Sequence, residues 1–264
     1  MLVLPREIAR FYLVIESRKY VVALRRECVA ELDAILAAEP PATDHGLPRC
    51  GRRPLKSVEL HDGAVLLGRQ YARGGLARHF LPDRYLSARG PFDELVLSER
   101  LRALGIPVPE PVAAASFRTC LGHRCEFWSR RIPDAVEVPD ALLGGFDKQR
   151  LLAAVVDAIV AAQTAGLDHR DLNARNLLVT PDYRVWIVDL AGARLLPALA
   201  PGLARRTLLR LARSMVKLGL VPEVVTYREL LEALFRHHRS FPSLDPRRTI
   251  HLCERSIRLH RLLW

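Results

Sequence analysis

Long apolar runs are scarce in this chain of 264 residues. The longest, residues 151–167, is interrupted by Asp157 and Gln163 and is too short to cross a bilayer comfortably, so it predicts a buried helix. Residues 1–30 lack the pattern of a secretory signal peptide, because proline and charged residues occupy positions 5–7 before any apolar core. We therefore expect a soluble or peripheral protein on the cytoplasmic side of a membrane.

Cysteines are also few, and their number, five, is odd. They are scattered along the chain, which argues against a disulfide framework and favours a reducing compartment. Cys120 and Cys125 flank His123, but no second ligand pair follows at a zinc spacing. We interpret residues 120–125 as a turn that connects two strands.

Acidic residues are fewer than lysines and arginines, so the net charge is +11 and the pI is near 10.0. Such a balance predicts an anionic partner, either nucleic acid, a membrane surface or a phosphorylated substrate. Residues 201–264 hold thirteen lysines or arginines and five acidic residues, and so carry +8 of this charge. A predicted helix in this segment has a basic face, which favours peripheral contact with an anionic membrane surface. That face comprises Arg206, Arg210, Arg213 and Lys217.

The hydrophobic pattern changes character along the chain and predicts an α+β protein. Helical periodicity over residues 5–38 predicts a helical N-terminal extension, residues 1–38. Strand patterns then predict a β-rich N-lobe, residues 39–132, and helical patterns predict a mainly helical C-lobe, residues 133–264. Two such lobes would leave a cleft, where small ligands commonly bind.

Individual elements follow from the same patterns. Short strands are expected on both sides of the turn at residues 61–63, and a helix over residues 91–104. Two more strands are expected before residue 133, followed by the buried helix over residues 147–165. After that helix, the sequence "NLLVTPDYRVWIVD" predicts a hairpin over the turn at residues 181–183. Beyond Pro197 the chain is expected to be mostly helical.

The chemistry-bearing stretch is "HRDLNARN", residues 169–176, followed after the hairpin by Asp189. It matches the pattern H-R-D-x-x-x-x-N and resembles the catalytic loop and metal-binding aspartate of protein kinases. A travelling phosphoryl group is strongly anionic, and Mg²⁺ that neutralises it prefers oxygen ligands. The pattern thus predicts Asn176 and Asp189 as metal ligands and Asp171 as the acceptor of the attacking hydroxyl's proton. The alternative, that these three residues only form turns or a helix cap, we weigh as the weaker one.

The resemblance extends beyond this loop. The segments "RQYARGGLARHFLPDRYL" (69–86), "ALGIPVPEPVAA" (103–114), "HRDLNARN" and "RLARSMVK" (210–217) together are similar to the 3-deoxy-D-manno-octulosonic acid (Kdo) kinase family of bacterial lipopolysaccharide kinases. The resemblance implies a two-lobed protein-kinase-like fold that uses ATP and Mg²⁺. It further implies phosphorylation of a Kdo hydroxyl on lipid A, a glycolipid acceptor, at the cytoplasmic face of the inner membrane.

Residue roles carry over from the family unevenly. Asn173 stands where a protein kinase has a lysine that steadies the transferred phosphate, so Arg175 or a residue outside the loop is expected to compensate. Arg69 is the expected ligand of the α- and β-phosphates. Its expected acidic partner on the following helix is Glu94, with Glu99 as second choice.

The phosphate-covering loop is the weakest match, because "CGRRPLKSVEL" offers only Gly51. Gly51, beside two arginines, is the expected contact with nucleotide phosphate, although a plain surface turn explains it as well. Arg73, followed by two glycines, is expected to reach an anionic group. After Asp189 the chain reads "DLAG", and Leu190 is expected to fill an apolar pocket.

Other functions stay open at this point. The loop alone does not exclude a protein, an aminoglycoside or another sugar as acceptor, although no A-P-E segment typical of protein kinases follows Asp189. A degenerate kinase fold that only binds an anionic surface is a further alternative. No basic patch with interleaved aromatic residues stands out, so nucleic acid is not the expected partner. The oligomeric state is left open.

Overall fold

The computed structural model describes residues 2–40, 54–72, 85–198 and 200–220, together with positions 229, 251, 255, 258 and 259. The chain divides into two compact units. Unit 1 comprises Met1–Ala103, Val108–Ile132 and Asp189–Ala191. Unit 2 comprises Leu104–Pro107, Pro133–Val188 and Gly192–Trp264.

Unit 1 is built on a six-stranded antiparallel sheet. Its strand order is β1-β2-β5-β6-β4-β3, and every neighbouring pair is antiparallel. The strands are β1 Tyr12–Glu16, β2 Tyr20–Arg25, β3 Lys56–Glu59, β4 Val65–Gln70, β5 Pro111–Thr119 and β6 Gly122–Arg130. The helices of unit 1 are α1 Arg6–Ala9, a 3₁₀ helix Arg26–Glu31, α2 Leu32–Ala37 and α3 Gly90–Ala103.

The prediction that residues 1–38 form a helical extension is wrong. Two of its segments, β1 and β2, are strands, and they join the sheet of unit 1 beside β5. The β-branched residues crowded into these segments favour strands, and the apparent helical spacing ran across a turn. In that turn the Ser17 hydroxyl accepts hydrogen bonds from the backbone amides of Lys19 and Tyr20. The segment is therefore part of unit 1, which does not begin at residue 39.

The sheet is covered on both faces, which gives unit 1 two apolar layers. On one face, Phe92 and Leu95 of α3 pack with Tyr12 and Phe127. On the other face, Ile35 of α2 packs in a cluster with other buried residues. That cluster includes Val22, Leu24, Leu66, Ala113 and Trp128. The helical part of the N-terminal segment thus covers the face that α3 leaves open.

Gly68 of β4 lies directly opposite Trp128 of β6 and makes room for its indole ring. A Cβ at position 68 would lie 2.5 Å from ring atoms of Trp128, whose side chain is completely buried. The tryptophan has no free space into which it can move. The close packing against Trp128 therefore requires glycine at position 68.

We expect Gly68→Ala to lower the free energy of unfolding by about 1–3 kcal/mol, the usual cost of overpacking a core. Urea unfolding followed by tryptophan fluorescence measures this. Gly202→Ala is the control, because a Cβ there meets nothing within 4 Å. If Gly68→Ala were as stable as the wild type, the close packing against Trp128 would be incorrect.

The described part of unit 2 is mainly helical, with three small strand pairings. A three-stranded sheet has the order β10-β9-β7, and a two-stranded sheet has the order β11-β8. Its helices are α4 Val138–Leu143, α5 Lys148–Thr164, a 3₁₀ helix Ala174–Asn176 and α6 Pro201–Lys217. Its strands are β7 Val136–Glu137, β8 Leu167–Asp168, β9 Leu177–Val179, β10 Val185–Ile187 and β11 Arg194–Leu195.

Several predicted elements of unit 2 are confirmed. The predicted buried helix is α5, which begins after Asp147, whose carboxylate accepts from the amide of Arg150 at 2.7 Å. The predicted hairpin is β9–β10, with Val185 opposite Val179. Among the described residues, no helix has the length and apolar character needed to cross a membrane.

The predicted strands and helix of unit 1 are confirmed as well. β3 and β4 flank the turn at residues 61–63, and α3 covers the predicted helical segment. The turn interpreted at residues 120–125 is shorter than expected, because residues 120–121 connect β5 and β6 and residues 122–125 belong to β6. Cys120 in that turn is exposed, whereas burial raises the pKa of Cys125 to about 11.

Candidate active site

The loop at residues 169–176 lies between β8 and β9 and is tied together by side-chain amides. The Asn173 amide donates to the carbonyl oxygen of Asp171 at 3.1 Å, and its own oxygen accepts from the Arg175 backbone amide at 3.0 Å. The buried Asn176 amide donates to the same Asp171 carbonyl at 2.9 Å. The backbone of Asp171 is therefore held from two directions, while its carboxylate is 72% exposed.

The same loop is anchored to the end of the hairpin. The ring of buried His169 is bonded through Nε2 to the carbonyl oxygen of Val188 at 3.2 Å. The amide of Val188 donates to the carbonyl oxygen of Asn176 at 3.0 Å. These two contacts fix both ends of the loop relative to the residue that precedes Asp189 in the chain.

The guanidinium of Arg175 pairs with the carboxylate of Glu137. Its Nη1 lies 2.7 Å from Oε2 of Glu137, whose side chain is 3% exposed. This ion pair connects the 3₁₀ helix of the loop to β7. The structure thus brings Arg175 to Glu137, and its predicted compensation for the missing lysine stays a prediction.

In unit 1, Arg69 and Glu94 form a buried ion pair. The Nη2 atom of Arg69 lies 2.8 Å from each carboxylate oxygen of Glu94, and the two side chains are 16% and 3% exposed. The phenol of Tyr71 also donates to Glu94, and the guanidinium of Arg69 lies over the ring of Tyr71. A strand residue and a helix residue 25 positions apart are thereby joined inside the unit.

Asp189 completes this cluster. Its Oδ1 lies 3.1 Å from Nη1 of Arg69, so that a single guanidinium contacts two carboxylates. Asp189 has a φ of 58°, a left-handed conformation that residues other than glycine seldom adopt. The next residue, Leu190, is buried as expected, and its amide donates to Glu94 at 3.1 Å. An uncommon backbone conformation held by specific contacts is typical of functional positions.

The electrostatics of this cluster follow from its burial. Burial raises the pKa of Glu94, and the positive charge of Arg69 acts in the opposite direction. Burial also raises the pKa of Tyr71, and the neighbouring Glu94 carboxylate adds to this effect. Arg69 therefore partly offsets the effect of burial on the pKa of Glu94.

The remaining predicted residues are divided between other contacts and the undescribed part of the chain. Glu99, the second choice as partner of Arg69, instead pairs with Arg25 and accepts from the phenol of Tyr12 at 2.6 Å. Gly51 and Arg73 lie outside the described residues.

Helix α6 contributes contacts to the loop that the sequence did not indicate. Arg206 pairs with Asp168 at 3.1 Å, Arg210 with Asp171 at 3.5 Å, and the Ser214 hydroxyl accepts from the Ala174 amide at 2.9 Å. Two residues of the predicted basic face thus pair with acidic residues of the same unit. The four-residue spacing of Arg206, Arg210 and Ser214 indicates that they share one helix face. It does not indicate which residues that face contacts.

Together, these features define a kinase, a phosphotransferase of the protein-kinase-like α+β fold. The sequence profile of the "Lipopolysaccharide kinase (Kdo/WaaP) family" matches residues 49–231. The chain belongs to this family, and it acts as a kinase. The predicted family resemblance is confirmed.

Individual proteins support this assignment. A 3-deoxy-D-manno-octulosonic acid kinase of Xanthomonas oryzae pv. oryzae (strain PXO99A) is 34% identical over 212 residues, which cover 77% of this chain and 83% of that protein. The equally named protein of Stenotrophomonas maltophilia (strain K279a) is 35% identical over 179 residues, covering 64% and 68%. A solved structure, "WaaP in complex with acyl carrier protein", has a TM-score of 0.56 at 18% identity and covers 86% of this chain and 90% of that chain. At that identity it shows the similarity of fold alone.

Proposed function

We propose that this kinase transfers the γ-phosphoryl group of ATP to a Kdo hydroxyl of the lipopolysaccharide inner core. The observation that carries the proposal is the buried contact of Arg69 with both Glu94 and Asp189. Such an arrangement presents one guanidinium and one carboxylate, the groups that a kinase directs at nucleotide phosphates and their metal ion. The names of the relatives support Kdo as the acceptor.

In this proposal Asp171 accepts the proton of the attacking hydroxyl, for which its exposed carboxylate is suited. Asn176 and Asp189 are the proposed ligands of Mg²⁺. Both supply oxygen atoms, and the Asn176 amide nitrogen is already bonded to Asp171, which leaves its oxygen as the ligand atom. When bound, Mg²⁺ would neutralise charge on the phosphates.

Arg69 would bind the α- and β-phosphates of ATP through a planar guanidinium. A guanidinium has five N–H donors in a fixed geometry, so it can keep Glu94 and still donate to phosphate. We keep Gly51 as a proposed contact with nucleotide phosphate. We keep Arg73 as a proposed contact with an anionic group. Asn173, with both ends of its amide used within the loop, would shape the loop.

We further propose that the protein acts at the cytoplasmic face of the inner membrane as a peripheral protein. The support is the net charge of +11 and the amphiphilic nature of a lipid A acceptor. Arg213 and Lys217 also lie on the predicted basic face of helix α6.

The acceptor is tested by incubating the protein with Mg²⁺ and γ-labelled ATP and one of three acceptors. These are Kdo-lipid A, an aminoglycoside and a generic protein substrate. We expect label only in Kdo-lipid A, and mild acid hydrolysis should release it with the Kdo sugar. Label in the aminoglycoside or the protein, with none in Kdo-lipid A, would contradict the proposed acceptor and leave the kinase assignment in place.

A further inference from the structure

The catalytic loop rests on helix α6 through a regular series of contacts. The contacting residues on α6 advance by four, from Arg206 to Arg210 to Ser214. Their partners at the end of β8 and in the loop advance by three, from Asp168 through Asp171 to Ala174. Because residues four apart lie on one helix face, the loop runs along that face. Asp171 is the middle contact of the three.

The two outer contacts are well defined and hold the loop on the helix. The carboxylate of Asp168 is 4% exposed and 3.1 Å from Arg206. The Ser214 hydroxyl accepts from Ala174 and donates to the carbonyl oxygen of Leu211 at 2.8 Å, so both of its hydrogen-bonding functions are used. These contacts position Arg210 opposite Asp171.

Within the loop, the two arginines pair with carboxylates other than that of Asp171. Asn173, at the position of the kinase lysine, is neutral and bonded within the loop. Arg175 pairs with Glu137, and the Nε of Arg170 lies 3.6 Å from Asp168. In the described part of the chain, Arg210 is the cation placed against the Asp171 carboxylate, with Nη1 3.5 Å from Oδ1.

We propose that Arg210 is a positioning residue for Asp171 and supplies the positive charge that this loop lacks at position 173. The inference rests on the proposed role of Asp171 in phosphoryl transfer. Asp171 is an exposed carboxylate, and an approaching phosphoryl group repels it. The guanidinium of Arg210 orients the carboxylate and offsets this repulsion without occupying the loop itself.

The first test is Arg210→Gln, which removes the charge and leaves a polar but shorter side chain. We expect turnover to fall by about 10²-fold, the size of effect that loss of one preorganised charged or polar group has in other enzymes. The KM for ATP should stay within about twofold, because Arg210 acts at the acceptor side. Arg210→Lys should retain most of the turnover, since it keeps the charge.

The sharper test is rescue by a second substitution. Adding Asn173→Lys to Arg210→Gln returns a cation to the loop, at the position where protein kinases have one. Because the lysine also loses the two hydrogen bonds of the Asn173 amide, the single variant Asn173→Lys is the reference. We expect Arg210→Gln to lower turnover at least tenfold less in the Asn173→Lys background than in the wild type. Arg205→Gln is the control, because position 205 is on the same helix but on another face. It removes the same charge and should leave turnover unchanged.

Turnover is measured in two ways, as transfer to Kdo-lipid A and as slow release of phosphate from Mg·ATP without acceptor. If the wild type releases phosphate but does not label Kdo-lipid A, the proposed acceptor fails, and the comparison of variants by phosphate release still tests Arg210. Wild-type turnover in Arg210→Gln would overturn the inference. A loss of turnover in Arg210→Gln that comes with a lowered melting temperature and is not recovered in Arg210→Lys would also overturn it.

Discussion

Asp171→Asn is expected to lower turnover by about 10²–10⁴-fold, the contribution of a positioned general base. The amide has nearly the shape of the carboxylate but cannot accept the proton of the attacking hydroxyl. The Asp171 backbone carbonyl, which accepts from Asn173 and Asn176, is untouched by this change. The loop should therefore keep its conformation, and the loss should appear in kcat while Mg·ATP still raises the melting temperature.

The matched control is Asp140→Asn, an exposed aspartate of α4 in the same unit. It makes the same chemical change away from the loop and should turn over like the wild type. Near-normal turnover in purified Asp171→Asn would exclude a proton-accepting role for this residue. Loss of both turnover and ATP binding would point instead to a structural role in the loop.

Arg69→Met is expected to reduce both stability and activity. It leaves the Glu94 carboxylate buried without its cation, and breaking a buried ion pair on one side typically costs about 3–5 kcal/mol. Transfer should be lost as well, because Arg69 is the proposed ligand of the nucleotide phosphates. Urea unfolding and phosphate transfer measure the two effects separately.

Adding Glu94→Gln to Arg69→Met should restore most of the stability without restoring activity. The second change removes the unpaired charge, and the glutamine oxygen can still accept from the Leu190 amide. This separates the structural contribution of the pair from its contribution to catalysis. If the double variant were also active, the proposed role of Arg69 at the phosphates would be wrong.

The stability deficit of Arg69→Met should also depend on pH. Burial already raises the pKa of Glu94, and loss of Arg69 raises this pKa further. A carboxyl group whose pKa is raised in the folded state favours folding at low pH and loses that contribution as pH rises through the folded pKa. The deficit should therefore be largest at neutral to alkaline pH and shrink as pH falls.

Arg102→Met provides the comparison for a surface pair. Arg102 lies 3.1 Å from Glu110, but its side chain is 35% exposed, and Glu110 also contacts Arg130 at 2.8 Å. An exposed pair of this kind contributes about 0–1 kcal/mol. If Arg69→Met lowered the free energy of unfolding no more than Arg102→Met does, the Arg69–Glu94 pair would not stabilise the fold as a buried ion pair.

The sequence predicted the parts of the fold whose signals are local. The helix α5, the β9–β10 hairpin and the strands around residues 61–63 follow from periodicity and turn residues, and they are confirmed. The family was recognisable because four separated segments matched it, and this too is confirmed. The contact of Arg69 with Glu94 was expected from the family pattern, whereas the roles of both residues stay predictions.

What the sequence did not reveal depends on contacts between distant residues. The N-terminal strands have apolar residues at spacings that also fit a helix, and only pairing of β2 with β5 decides between the two. The basic face of α6 was interpreted as a surface for lipid, because Asp168 and Asp171 lie 38 and 39 positions away from the arginines that pair with them. Helical periodicity identifies a face, but tertiary structure determines its partner.

Asp189, which contacts Arg69 and has a left-handed backbone conformation, is proposed to take part in Mg²⁺-dependent phosphoryl transfer. The most direct measurement is transfer from γ-labelled ATP to Kdo-lipid A by the wild type and by Asp189→Asn, each with and without Mg²⁺. We predict Mg²⁺-dependent labelling by the wild type and none above background by the folded variant. Equal labelling by the two proteins, or labelling that does not require Mg²⁺, would contradict the account.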